Sequence, residues 1–153
     1  MEFGGRYRMA APRMQIWAAL NDPDMLKAAI PGCHLIAWSG PDRLDLEIKV
    51  NLGVMQPTFR GELILSDIVP AESYTLSGRG KGGILGLAEG RAEVTLADDG
   101  EDTILVFTAH GGASGQIMKL GRTLIGKSAQ RVIDGFFERF GAAAGVEVTP
   151  LAE

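Results

Sequence analysis

Residues 44–52 carry the clearest hydrophobic pattern of the chain. Every second residue of LDLEIKVNL is apolar, and the residues between them are polar or charged. A period of two is typical of a strand with one buried face. Weaker patterns of the same kind predict six further strands, at residues 2–9, 34–39, 58–68, 73–80, 87–97 and 103–110. The short connections between successive strands, such as VPAE and DDGE, favour an antiparallel sheet.

Two short helices are predicted between the first and second strands. The first, RMQIWAAL at residues 13–20, has apolar residues three positions apart on one face. In the second, Asp22 serves as the N-cap and Pro23 as the first helical residue. The sequence IPG, residues 30–32, should end it, because a residue before proline avoids helical geometry. The face of the first helix is formed by Met14, Trp17 and Leu20.

From Ser114 to about Ala144 the apolar residues recur at steps of three and four, which predicts one long helix. At about 1.5 Å per residue it would span roughly 40 Å and cross the whole sheet. The order of elements predicts an α+β helix-grip fold of the START-like type. In this fold a curved antiparallel sheet of about seven strands wraps around the C-terminal helix. We expect a single domain over residues 1–146 and a short, frayed C-terminal tail over residues 147–153.

The predicted strand at 87–97 has an unusually small inward face. Residues 86, 88, 90 and 92 are glycine or alanine, whereas the residues between them are mostly charged. Either the long helix packs very close to this strand, or an apolar void remains that a ligand can fill. The triplet Phe136, Phe137 and Phe140 is interpreted as core. On the ligand alternative, the predicted ligand-binding residues are Leu46, Ile48, Val50, Phe59, Leu63, Leu76, Ala88, Gly90, Ala92, Leu105, Phe107, Leu120, Gly121 and Leu124.

Composition narrows the function classes. The chain has 153 residues, a net charge of -4 and a pI near 5.2, which argues against a nucleic-acid partner. The sequence shows neither an apolar run of membrane-spanning length nor a basic leader before an apolar stretch. A cytoplasmic location is therefore expected.

Two nucleotide-binding motifs occur but lack the required context. GRTLIGKS, residues 121–128, fits the P-loop pattern, yet it lies inside the predicted helix. GRGKGG, residues 78–83, fits a dinucleotide fingerprint, yet a strand pattern follows it where a helix is needed. We reject both nucleotide sites.

Neither catalytic nor metal-ligating residues are predicted. The only cysteine, Cys33, is followed by one of the two histidines, His34, but neighbours along a strand point to opposite faces. Cys33 is interpreted as a small core residue after a turn. Metal sites need three or four convergent ligands, and neither the two histidines nor the cysteine has the spacing of one. Acidic residues of the strands are assigned to the solvent face; they are Asp45, Glu47, Glu62 and Glu93.

Four segments of the sequence resemble the CoxG family of carbon monoxide dehydrogenase subunits. They are MEFGGRYRMAAPRMQIWAALNDPDMLKAAIPGC, FRGELILSDIVPAESYTLSGRGKGG, GLAEGRAEVTL and GGASGQIMKLG. The resemblance implies a START-like (SRPBCC) domain with an apolar cavity that binds a quinone or another lipid. It also implies an accessory partner of a molybdenum hydroxylase of the carbon monoxide dehydrogenase type, with peripheral contact to the cytoplasmic membrane. Family members often continue into a docking tail, whereas this sequence ends at Glu153, so docking through such a tail is not expected.

The leading hypothesis is a non-catalytic carrier for a hydrophobic small molecule, without covalent or metal cofactor. Two alternatives stay open. A polyketide cyclase or hydrolase on the same fold would need polar groups that reach the cavity. A purely structural assembly subunit would have a closed interface between sheet and helix.

Overall fold

The computed structural model describes residues 1–152, which form eight β-strands, three α-helices and two short 3-10 turns. The strands are β1 Glu2–Met9, β2 Cys33–Trp38, β3 Arg43–Lys49, β4 Thr58–Val69, β5 Ser73–Lys81, β6 Leu87–Asp99, β7 Asp102–Ser114 and β8 Val148–Leu151. The helices are α1 Arg13–Leu20, α2 Pro23–Ala29 and α3 Arg122–Ala144, and the 3-10 turns are Gly83–Leu85 and Gln116–Leu120.

All eight strands belong to one antiparallel sheet with the order β2-β3-β4-β5-β6-β7-β1-β8. Strands β2 to β7 form a meander, and β1 adds to the edge of β7. Helix α3 lies between β7 and β8 in the chain and packs on one face of the sheet. The predicted α+β helix-grip architecture is therefore confirmed, with one strand more than expected.

The additional strand corrects the prediction of a frayed tail. Residues Val148–Leu151 pair with β1, so that Met9 faces Val148 and Arg6 faces Leu151. Pro150 lies within this strand, and proline is tolerated because β8 is the outer edge of the sheet. The pairing covers backbone groups of β1 that would otherwise be open to association with another chain.

The two short helices form where the sequence places them. Asp22 caps α2, accepting a hydrogen bond of 2.9 Å from the backbone N–H of Asp24. In α1 the predicted apolar face is wrong in one member, because Met14 is 67% exposed. Ile16 and Leu20, four residues apart, are the buried pair instead.

The long helix starts later than predicted. Strand β7 runs to Ser114, a 3-10 turn follows, and Gly121 has a φ of +87° that separates this turn from α3. The 23 residues of α3 correspond to about 35 Å. Gly135 lies where α3 crosses the end of α2, since a Cβ there would be 2.7 Å from Cγ of Pro31. None of the helices within residues 1–152 is long and apolar enough to cross a membrane.

The C-terminal half of α3 packs against large side chains of the sheet. Phe137 stacks on Tyr7 with a centroid separation of 3.8 Å and lies 5.4 Å from the ring of Phe107. Phe140 is fully buried, and Phe136 packs against it. The prediction that these three phenylalanines of α3 belong to the core agrees with these contacts.

Candidate ligand-binding cavity

A cavity of about 470 Å³ lies between the sheet and the N-terminal half of α3. Its floor is the inward face of β4 to β7, where successive strands place small residues opposite one another. Gly78 pairs with Gly90, which pairs in turn with Gly111, and the neighbouring rows repeat this pattern. We call this set the small-residue floor; it comprises Gly61, Gly78, Gly80, Ala88, Gly90, Ala92, Ala109, Gly111 and Ala113.

The walls and roof of the cavity are apolar. Strands β3 and β4 and the chain after β3 supply one wall, and α3 with the preceding 3-10 turn supplies the roof. Four inward-facing residues beneath the helix are only half-buried, because the space above them is not filled. They are Leu63, Leu76, Ala92 and Ala109. The wall residues are Leu46, Ile48, Val50, Leu52, Phe59 and Leu63, and the roof residues are Ile117, Ile125, Ser128, Ala129, Val132 and Ile133.

The cavity ends where the inward side chains become large. Farther along the same strands, Val94, Leu96, Leu105 and Phe107 replace the glycines and alanines, and all four are buried. Phe107 meets Phe137 of α3, so the space between the layers is filled there. The size of the inward residues therefore divides the interior into a packed half and a hollow half.

Nine of the predicted ligand-binding residues line this cavity. They are Leu46, Ile48, Val50, Phe59, Leu63, Leu76, Ala88, Gly90 and Ala92. Whether they bind a ligand stays a prediction, but the inward small face of β6 and the void beside it are present. Of the two explanations for that small face, the apolar void applies.

The other five predicted residues lie outside the cavity. Leu105 and Phe107 belong to the packed core, because the aromatic half of α3 lies against them. Leu120 packs into a second apolar cluster, which includes Leu52, Leu85 and Ile117 from the connections after β3, β5 and β7. We call this part of the molecule the loop end. Gly121 is exposed at the start of α3, and Leu124 is half-buried on a helix face that does not line the cavity.

Sequence reasoning missed most of the roof and part of the floor. The segment TAHGGAS of β7 has small residues at alternate positions, as β6 does. Its contribution to the floor could be predicted once β6 and β7 are known to pair. The lining residues of α3 could be predicted only with the correct start of the helix. They are residues 125, 128, 129, 132 and 133. Other inward-facing lining residues that the prediction omitted are Met1, Phe3, Leu52, Gly61, Gly78, Gly80, Ala109, Gly111, Ala113 and Ile117.

Charged side chains border the cavity only through their place in the strands, and the N-terminal ammonium of Met1, which also lines the cavity, donates a hydrogen bond of 3.0 Å to the carbonyl oxygen of Gly111. The ones on β4 to β7 alternate with the floor residues, so their side chains belong to the opposite face of the sheet. There they form ion pairs, with N···O distances of 2.6 Å for Arg43–Glu62 and 2.6 Å for Arg60–Glu47. The prediction that acidic residues of the strands lie on the outer face is therefore correct for Glu47 and Glu62.

Ser128 is the exception to the apolar lining. Its side chain lies on the cavity face of α3, and the residue is only 3% exposed. Among residues 1–152, its Oγ is the one buried side-chain oxygen or nitrogen without a hydrogen-bond partner.

Cys33 is a packing residue beside the core. It is half-buried, its Sγ lies 3.4 Å from the carbonyl oxygen of Leu35, and burial raises the pKa of the thiol. The adjacent His34 is exposed and lies at an irregularity of the β2–β3 register, and the thiol of Cys33 contacts the backbone of Leu35 and not the imidazole. Within the described residues, no cluster of three His, Cys, Asp or Glu side chains could hold a metal ion.

The P-loop-like segment lies in α3 after its first glycine, and the dinucleotide-like segment ends β5.

A family model for CoxG, a subunit of carbon monoxide dehydrogenase, matches residues 5–145. The chain belongs to the CoxG family. This confirms the family resemblance of the sequence over almost the whole described chain. The comparison with curated protein sequences finds no significant match.

Solved structures share the START-like fold of this CoxG family member. A conserved protein from Geobacillus kaustophilus has a TM-score of 0.84 at 21% identity, with 97% of this chain and 99% of that chain covered. The Zhui aromatase/cyclase from Streptomyces sp. R1128 has a TM-score of 0.67 at 18% identity, with 94% and 93% covered. The di-domain aromatase/cyclase StfQ of the steffimycin biosynthetic pathway has a TM-score of 0.64 at 13% identity, with 94% of this chain and 50% of that chain covered. At these identities the likeness establishes the fold alone.

Proposed function

We propose that this protein is a non-catalytic carrier that holds an apolar ligand, a quinone or another lipid, in the cavity under α3. Membership of the CoxG family supports a carrier or binding role in the carbon monoxide dehydrogenase system. The partner in this proposal is a molybdenum hydroxylase of the carbon monoxide dehydrogenase type. The ligand passes between that enzyme and the membrane.

The observation that carries the proposal is the apolar cavity of about 470 Å³. Ligand pockets have volumes of about 300–1,000 Å³ and are mostly apolar with a few polar groups. A ligand that buries about 300 Å² of apolar surface gains about 7.5 kcal/mol at about 25 cal/mol per Å². Association costs at least about 4 kcal/mol. The apolar contact alone therefore offsets the lower bound of this cost.

The main alternative is an enzyme, because two proteins of the same fold are named aromatase/cyclases. General acid and base catalysis needs titratable groups within hydrogen-bond reach of the substrate. The charged side chains of β4 to β7 belong to the outer face, the N-terminal ammonium of Met1 donates to the carbonyl oxygen of Gly111, and the lining carries a single hydroxyl, at Ser128. This lining favours holding a molecule over transforming it.

A peripheral membrane contact is part of the proposal, on the cytoplasmic face. Three connections meet at the hollow end of the molecule, where Leu52, Leu85 and Ile117 pack into one apolar cluster. Each of these connections also exposes an apolar residue; these are Val54, Ile84 and Met118, at 77%, 92% and 44% exposure. Lys81, Lys119 and Arg122 lie in or beside the same segments, which contain no acidic residue. Apolar tips with basic neighbours suit an anionic lipid surface.

Extraction of the freshly purified protein with organic solvent tests the carrier proposal. We expect mass spectrometry and ultraviolet absorbance to reveal a quinone or another lipid at up to one molecule per chain. Addition of a naphthoquinone with a short isoprenoid chain to the stripped protein should quench tryptophan fluorescence in a saturable way. An empty extract together with no quenching would contradict the proposal. Turnover of the added quinone without a partner enzyme would favour the enzymatic alternative.

A further inference from the structure

The cavity face of α3 is aliphatic except at one position. Ile125, Ala129, Val132 and Ile133 surround Ser128 on this face. A serine hydroxyl inside a helix ordinarily bonds to the carbonyl oxygen four residues earlier. Here Ser128 Oγ bonds neither to that carbonyl nor to any other group of residues 1–152. A buried hydroxyl is therefore presented to the cavity.

This arrangement is costly for the protein alone. A buried hydroxyl without a partner destabilises the folded state, because no hydrogen bond offsets the loss of its hydration. Alanine would remove that cost, would suit a helix better and would fit the same face, as Ala129 does one residue later. Since the protein's own groups do not satisfy the hydroxyl, a ligand atom is the partner that would offset the cost.

The surroundings define the chemistry of that atom. The cationic side chains of the floor strands, Arg79 and Arg91, are exposed and alternate with the floor residues, so they belong to the outer face. The N-terminal ammonium of Met1 also lines the cavity, where it donates a hydrogen bond of 3.0 Å to the carbonyl oxygen of Gly111 on the floor. On α3 the neighbours of Ser128 are aliphatic, so an anionic ligand group beside it would have no cationic side chain on this face, which is unfavourable in an apolar site. A neutral oxygen that accepts one hydrogen bond fits, and a carbonyl oxygen is the simplest example.

We propose that Ser128 donates a hydrogen bond from its hydroxyl to a neutral carbonyl oxygen of the bound ligand, and thereby selects carbonyl-bearing apolar molecules over hydrocarbons of the same shape. This inference rests on the proposed carrier function. It adds that Ser128 fixes the orientation of the ligand, with the carbonyl group at α3 and the hydrocarbon on the small-residue floor.

The test compares two probes of matched shape, a 1,4-naphthoquinone with a short isoprenoid chain and a naphthalene with the same chain. Binding of each is measured by calorimetry to the wild-type protein and to Ser128→Ala. One neutral hydrogen bond contributes about 0.5–1.5 kcal/mol, so we expect the wild type to favour the quinone by about two- to tenfold beyond the preference of the variant. Val132→Ala is the matched control, because it removes apolar volume from the same face and should weaken both probes equally.

Infrared spectra of the bound quinone give a second, direct measurement. With carbonyl-labelled quinone, the stretch of one carbonyl should lie at lower frequency in the wild type than in Ser128→Ala. Without ligand, Ser128→Ala should melt at a higher temperature than the wild type, which also shows that it folds.

The outcomes separate the two proposals. If the wild type binds neither probe, the carrier function fails, and the role of Ser128 fails with it. If both probes bind equally to the wild type and to Ser128→Ala, with identical carbonyl spectra, the carrier function stands and the role of Ser128 is refuted.

Discussion

Replacing Gly90 with leucine tests directly whether the hollow half of the interior is usable space. Gly90 lies in the middle of the small-residue floor, between Gly78 and Gly111. A Cβ at Gly90 would contact only the carbonyl oxygen of His110, at the ordinary distance of 3.5 Å. The new side chain can therefore project into the cavity without displacing the backbone.

The sign of the stability change distinguishes a void from a filled interior. Burial of a leucine side chain in apolar space stabilises by about 1.5–3 kcal/mol. Loss of glycine's freedom in the unfolded chain adds about 0.4–1 kcal/mol. Overpacking of a filled core would instead destabilise by about 1–3 kcal/mol. We expect the free energy of unfolding of Gly90→Leu to rise by about 2 kcal/mol and the midpoint of thermal unfolding to rise by about 4–8 °C.

The same variant should lose ligand binding. Urea unfolding followed by circular dichroism measures the stability, and tryptophan quenching by the naphthoquinone probe measures the affinity, which should fall at least tenfold. Gly112→Leu is the matched control, because Gly112 pairs with Glu89 on the outer face and a Cβ there meets nothing within 4 Å. Its affinity should equal that of the wild type. A folded Gly90→Leu protein with unchanged affinity, or one destabilised while Gly112→Leu is not, would refute the reasoning.

Two further predictions concern the loop end and the cysteine. The double variant Ile84→Ser, Met118→Ser should bind anionic phospholipid vesicles more weakly than the wild type in a sedimentation assay. Ile68→Ser, which alters an exposed apolar residue of β4, should bind as the wild type does. Equal binding by the wild type and both variants would contradict the membrane contact. Because burial raises the pKa of the Cys33 thiol, its thiolate is scarcer than that of an exposed cysteine at pH 7. Iodoacetamide should modify it more slowly than a cysteine peptide and faster as the pH rises, and labelling at the peptide's rate would show that the thiol is not shielded.

The sequence alone predicted most of the secondary structure, because period and turn chemistry are local properties. The alternation of residues 44–52 predicted β3, although this strand ends at Lys49, and the cap at Asp22 predicted α2. Two local predictions failed for physical reasons. The β8 pairing depends on the free edge of β1, which is distant in sequence. The start of α3 depends on Gly121, whose positive φ interrupts an apolar pattern that continues on both sides.

The cavity was predictable as a face of β6 but not as a volume. Periodicity shows which residues point inward, whereas the gap between sheet and helix depends on side chains of other strands. Leu105 and Phe107 share the inward face with Ala109, yet Phe137 fills the space above them. Ser128 lies within a helical pattern in which the apolar residues indicate the buried face. The absence of a hydrogen-bond partner for its hydroxyl depends on the positions of the surrounding groups and cannot be predicted from this pattern.

Bare backbone on the floor also restricts how the protein can open and close. Glycine and alanine have no rotamers, so the chamber cannot shrink on the sheet side by rotation of side chains. Side-chain rotation in the walls and roof changes its volume only locally, so a large change requires α3 to move as a body relative to the strands. Uptake and release of cargo would therefore proceed at the pace of a helix displacement, in microseconds to milliseconds, and not at the nanosecond pace of side-chain rotation.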